Sequence, residues 1–220
     1  MRYLYSCKKN LNIQLTITFY EMGLSIHYSG SISNPGCLSE LINEVQDIAA
    51  VYNWPCEIYE CKFPENQYSR NTYSDKIYGI SFTPPGCESV FICFLSNGKI
   101  SGPSQLELFG NSEIETDKRY LYIVSVKTQF AGAEVHMVVV HLFRYLSQKY
   151  FARFNMSDEG NYWETSDENV LHENFKKYSD LLNSFSSAIE KHPFQTNESI
   201  EKYFTRLLEI IREKKHRGKK

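Results

Sequence analysis

The order of its periodicities constrains this chain more than any other feature. Runs with apolar residues at every second position come in groups, and a single helical run separates one group from the next. A period of two puts alternate side chains on one face of a strand; a period of 3.6 puts them on one stripe of a helix. Strands would alternate regularly with helices in a parallel α/β sheet. Here the order is strands, helix, strands, helix, strand, helix, helix. That predicts an α+β fold, an antiparallel sheet packed against helices, with a C-terminal antiparallel helix pair.

The elements follow in chain order. Ile13, Leu15, Ile17 and Phe19 alternate with polar neighbours, and a turn at Met22-Gly23 leads into a second strand, LSIHY. Residues 29–36 are rich in Ser, Gly, Asn and Pro and read as a loop. Leu41, Ile42, Val45, Ile48 and Ala49 define a helix over 38–52, stopped by Trp54-Pro55. Strands are expected at 56–63, 76–82, 89–95 and 120–127, forming an antiparallel meander with polar links. Ser96-Asn97-Gly98 is a hairpin signal within it. The run 131–151 is nearly apolar on all sides and reads as a buried helix, although Val138-Val139-Val140 also suits a strand. A short strand, 152–156, precedes a polar segment.

Next comes an amphipathic helix, 167–191. Leu171, Phe175, Tyr178, Leu182, Phe185 and Ile189 are spaced 4, 3, 4, 3, 4, and Thr165 with Glu168 fits a capping box. A final helix begins near Thr196, and the short link pairs the two helices antiparallel. The expected organisation is one α+β domain over 1–192, with a C-terminal helix and basic tail, 193–220, packed on it.

Composition narrows the function. The chain has 220 residues, is 15% aromatic and has a net charge of −2. Disordered chains are poor in rings, and dedicated nucleic-acid binders carry a basic excess. Only the tail, Arg212 to Lys220, is basic, and cations also suit a helix C-terminus. No stretch reaches the roughly 18 apolar residues of a membrane span, and the N-terminus lacks a signal-peptide pattern. A soluble cytoplasmic protein is the expectation, with its six cysteines as free thiols. The spacing of Cys56 and Cys61, with no second pair, and that of Cys87 and Cys93, argue against a zinc site. The chain carries no GxGxxG, GxxxxGK[ST], GxSxG or HExxH signature, and no cofactor is implied.

One segment concentrates polar chemistry: Ser157-Asp158-Glu159-Gly160-Asn161-Tyr162-Trp163-Glu164-Thr165-Ser166-Asp167-Glu168. Turn and cap chemistry accounts for much of it. Asp158-Glu159-Gly160 makes a turn, Tyr162 and Trp163 pack a ring on the core, and Asp167 and Glu168 suit a helix N-terminus. DEGNYWET resembles a segment of uncharacterised bacterial proteins, over about 131–183; the resemblance implies no activity, cofactor or substrate.

Two readings of the segment go further. In the first, Tyr162, Trp163, Glu164 and Asp167 form an acidic, aromatic surface that binds another protein, as an inhibitor, an immunity-like factor or an assembly subunit does. A homo-oligomer is compatible with it, and the chain is then not an enzyme. In the second, Glu134, His136, Asp158, Glu159 and Glu164 converge as an acid/base or metal-dependent hydrolase. His136 and His141 lie five residues apart, about 140° around a helix, so they do not share one ion. Both otherwise read as ordinary polar positions on a mixed face.

Overall fold

A computed structural model describes residues 24–64 and 73–217, the last four by their backbone alone. The expected strand at 13–19 and the turn at Met22-Gly23 lie outside the described residues. Within them the chain is α+β, with two antiparallel three-stranded sheets.

The first strand, β1 (Ser25–Ile32), continues into the segment expected as a loop. A 3-10 turn at Pro35–Cys37 leads into α1 (Leu38–Val51), whose apolar stripe is buried. Asn53 in the left-handed region (φ 53°) ends that helix, and Trp54 N–H returns to Ala49 O at 2.8 Å. Strands β2 (Cys56–Ile58), β3 (Tyr78–Phe82) and β4 (Val90–Phe94) form the expected meander. The turn at Ser96-Asn97-Gly98 forms as read: Gly98 has φ 74°, and its N–H donates to Leu95 O at 2.8 Å.

Two short helices, α2 (Pro103–Phe109) and α3 (Glu115–Tyr120), stand where only links were expected. Neither buries a residue, and at seven and six residues each is too short for a helical period to stand out. Strand β5 (Val124–Lys127) leaves the meander and pairs with β1 instead. Helix α4 (Ala133–Tyr150) passes unbroken through Val138-Val139-Val140, because burial of Val139 and Val140 outweighs their β preference. β6 (Phe151–Asp158) completes the first sheet in the order β5-β1-β6, and the one-turn helix α5 (Tyr162–Thr165) follows. Then come α6 (Glu168–Lys191) and α7 (Ile200–Arg217). Among the described residues no helix is long and apolar enough to cross a membrane.

The two sheets share a core. Ile26 and Tyr28 of β1 are buried beneath α4, with the Tyr28 and Phe143 rings 4.4 Å apart. The Tyr28 hydroxyl donates to Phe91 O at 2.8 Å and accepts from Phe91 N at 3.1 Å, which joins β1 to β4. α1 packs on β3, and Trp54 stacks on Phe82 at 5.5 Å. Glu44 of α1 accepts bonds from Tyr145, Tyr150 and Lys149 of α4 and ties the two helices together.

The contacts divide the chain into two compact units, parting between His172 and Glu173 inside α6. The second unit is the helix pair, packed around Ala188, Tyr203, Leu207 and Ile211 with Phe185 and Phe204 against them. Its α7 starts at Ile200 rather than near Thr196, with the Ser199 hydroxyl accepting from Lys202 N at 3.3 Å.

Candidate functional site

Strand alternation at the end of β6 sends consecutive carboxylates to opposite faces of the first sheet. Asp158 points into the core. Its side chain is fully buried, with Oδ1 3.0 Å from His136 Nε2 on α4. Oδ1 also accepts Gly160 N–H at 2.7 Å, and Oδ2 accepts Tyr162 N–H at 2.8 Å and Trp163 N–H at 2.9 Å. The carboxylate thus satisfies the first donors of α5, the task of an N-cap, because Asn161 at that helix start makes no side-chain cap.

The rest of α5 is clamped as firmly. Arg144 Nη2 donates to Tyr162 O and Trp163 O, each at 2.9 Å, and its guanidinium lies 5.5 Å from both ring centroids. An anion at the amide end and a cation at the carbonyl end both suit the dipole of the turn. The Tyr162 hydroxyl meets His141 Nε2 at 3.0 Å, and Trp163 sits edge-on to Phe154 at 5.7 Å.

Behind the carboxylate, His136 Nδ1 lies 2.7 Å from Thr128 Oγ1, which also donates to Leu24 O at 3.2 Å. Gly160 closes the cluster: a Cβ there would stand 2.6 Å from Leu171 Cδ1 and 3.0 Å from both Asp158 Oδ1 and His136 Nε2. Burial raises the pKa of the Asp158 carboxyl. The hydrogen bond and electrostatic attraction of His136, with the Trp163 and Gly160 N–H groups, outweigh burial and hold it below the ordinary aspartate value.

The five residues read as catalytic therefore do not converge. His136 and Asp158 meet, but both side chains are sealed from solvent. This corrects the reading of His136 as an ordinary polar position: the loop after β6 folds over it. Glu134 is 80% exposed and lies 3.9 Å from His172 Nε2. Glu159 turns to the other face, where its Oε2 accepts Ser25 N–H at 2.8 Å. Glu164 is exposed and folds its Oε1 back to Asp158 N at 3.3 Å. Among the described residues no three His, Cys, Asp or Glu side chains gather into a set that would hold a metal ion.

The residues read as a binding surface divide. Tyr162 is 4% exposed and so cannot anchor a partner; its ring fills the core and its hydroxyl is engaged by His141. Trp163 is half-buried, while Glu164 and Asp167 face solvent. Asp167, rather than a Thr165/Glu168 box, caps α6: its Oδ1 accepts Asn169 N at 2.8 Å. Ser166 in the left-handed region (φ 55°) turns the chain there and leaves Thr165 in α5.

Sequence reasoning missed Thr128 and Arg144. Each acts through a contact set by tertiary packing, so no local pattern marked them. No family model, curated protein or solved structure matches this chain. Fold and site together define an α+β protein carrying an acid-rich surface loop, pinned from beneath by a buried His–Asp pair.

Proposed function

We propose that the chain is a protein-interaction module whose recognition element is the loop from Glu159 to Glu168, docking on a basic surface of another protein. An inhibitor, an immunity-like factor or an assembly subunit has this character. One observation carries the reading: the loop is held in one conformation by the buried Asp158 carboxylate and by Arg144. Asn161 (φ 59°) and Ser166 (φ 55°) flank α5; Asn tolerates that region, whereas a serine held there costs on the order of 1–2 kcal/mol. The Asp158–His136 pair and Arg144 hold the turn against that cost. A loop ordered in advance loses less entropy on binding. The exposed Glu164, Asp167 and Glu168 give it one sign of charge, which speeds encounter with a basic partner. The five described cysteines are free thiols, in keeping with a reducing cytoplasm. The alternative, an acid/base hydrolase at His136 and this loop, is disfavoured because water cannot reach the pair.

The test is capture from an extract of the source cells on immobilised wild type, on Glu164→Lys/Glu168→Lys, and on a distant control, Glu209→Lys/Glu213→Lys. The expected result is a protein held by wild type and control, released by salt, and bound at least about tenfold more weakly by the loop variant, equivalent to about 1.4 kcal/mol. Capture that ignores the loop reversal, or no saturable partner, overturns the reading.

A further inference from the structure

Asp158 and Glu159 each meet an imidazole that in turn meets a hydroxyl. The inner array is Thr128, His136 and Asp158, without accessible side-chain surface on the His or the acid. The outer array is Ser125, His27 and Glu159. Ser125 Oγ lies 2.7 Å from His27 Nδ1, and His27 Nε2 lies 3.7 Å from Glu159 Oε1. The outer side chains are open: His27 is 34% exposed, Glu159 28%, and Ser125 lies on the surface. The row forms because His27 pairs in register with Ser125 on one side and Ser157 on the other, on the face opposite the buried Ile26 and Tyr28.

In the tautomer with its hydrogen on Nε2, toward Glu159, His27 accepts a hydrogen bond from the Ser125 hydroxyl at Nδ1. Hydroxyl, imidazole and carboxylate in that order turn a weak nucleophile into a strong one. Glu159 is itself fixed by the Ser25 N–H. The 3.7 Å separation exceeds a hydrogen bond; catalytic contacts in free enzymes are often long and tighten as charge develops.

We propose that Ser125 is a nucleophile toward acyl esters, with His27 as its general base and Glu159 as the residue that positions His27. Ser125 Oγ attacks the ester carbonyl carbon while its proton passes to His27 Nδ1, and the carbonyl π electrons move to oxygen. Collapse breaks the bond to the alcohol oxygen, which leaves with the proton from His27. Water then attacks the acyl-serine and gives His27 a proton. Ser125 takes that proton back as the acid departs, so ester and water yield acid and alcohol. Lys127 shares the face of Ser125 by strand alternation, which puts one cation on that face; its own N–H is taken by Glu88 at 2.8 Å. Lys127 and Glu159 are the charged groups facing His27 from the neighbouring strand and loop. This inference goes beyond the binding reading and stands or falls apart from it.

The test is labelling with a fluorophosphonate probe, mapped by mass spectrometry, together with p-nitrophenyl acetate turnover. Wild type is expected to be labelled at Ser125. His27→Ala should slow labelling at least about 100-fold, the usual contribution of a general base. Glu159→Gln should slow it less and alter its pH profile, a change that a purely structural role would not produce. Ser157→Ala, in the same row, should react as wild type does. An unlabelled Ser125, or labelling that survives His27→Ala at the wild-type rate, overturns the proposal.

Discussion

Replacing Asp158 by Ala removes the acceptor for three backbone N–H groups and the partner of a buried imidazole. Removing one member of a buried pair costs about 3–5 kcal/mol, since the other member stays buried without its partner. The orphaned N–H groups lie in the first turn of α5, where losing a cap alone costs about 1 kcal/mol and so adds little to that range. For a folded unit of this size each kcal/mol lowers Tm by about 2–4 °C, so Asp158→Ala should melt roughly 6–20 °C below wild type. Glu159→Ala provides the contrast. That residue is next in the chain, but its side chain is partly exposed, and surface pairs contribute about 0–1 kcal/mol. Differential scanning calorimetry on both variants decides the matter. An Asp158→Ala protein that melts within about 2 °C of wild type would refute the argument that this carboxylate organises the loop.

Other consequences can be checked on the same material. Gly160→Ala drives a methyl group against Leu171, Asp158 and His136, and should cost about 1–3 kcal/mol in a denaturant titration. Acid should weaken the fold through Asp158. Its pKa is depressed in the folded state, so its contribution is complete above the ordinary aspartate value and is lost as pH falls through the depressed one. Melting curves taken from about pH 5 to about pH 2 should therefore fall more steeply for wild type than for Asp158→Asn. Burial, with the charge of Glu88 added, pushes the Cys87 thiol up to about 12, and Cys93 is fully buried, whereas Cys56 and Cys61 are exposed. Iodoacetamide near neutral pH should thus modify Cys56 and Cys61 and spare Cys87 and Cys93, as read by peptide mapping.

What was legible in the sequence was whatever a single element displays by itself. The stripe of α1 and the 4, 3, 4, 3, 4 spacing of α6 located those helices within a few residues, because one face of each is apolar and the other polar. The β2-β3-β4 meander was legible because its strands are consecutive in the chain. The departure of β5 to β1 was not. Strand alternation says which residues share a face, but says nothing about which strand lies alongside, and β5 finds its neighbour nearly 100 residues away. The same limit hid both imidazole arrays. That His136 and His141 face different ways was readable from their spacing, and they turn to Asp158 and Tyr162 respectively. That His136 is buried was not readable, because its cover comes from a loop beyond the end of its helix. Tyr162 shows how a rule of thumb divides: the ring packs on the core, as turn chemistry implied, and is thereby lost to a binding surface.

The central claim is that buried charge holds the acidic loop in one conformation ready for a partner. Amide hydrogen exchange at Tyr162 and Trp163, whose N–H groups both donate to Asp158, tests it most directly. The account predicts slow exchange for both in the wild-type protein, approaching that of the α4 core, and fast exchange in Asp158→Asn with the rest of the first unit still protected. Fast exchange at both amides in the wild-type protein would contradict it.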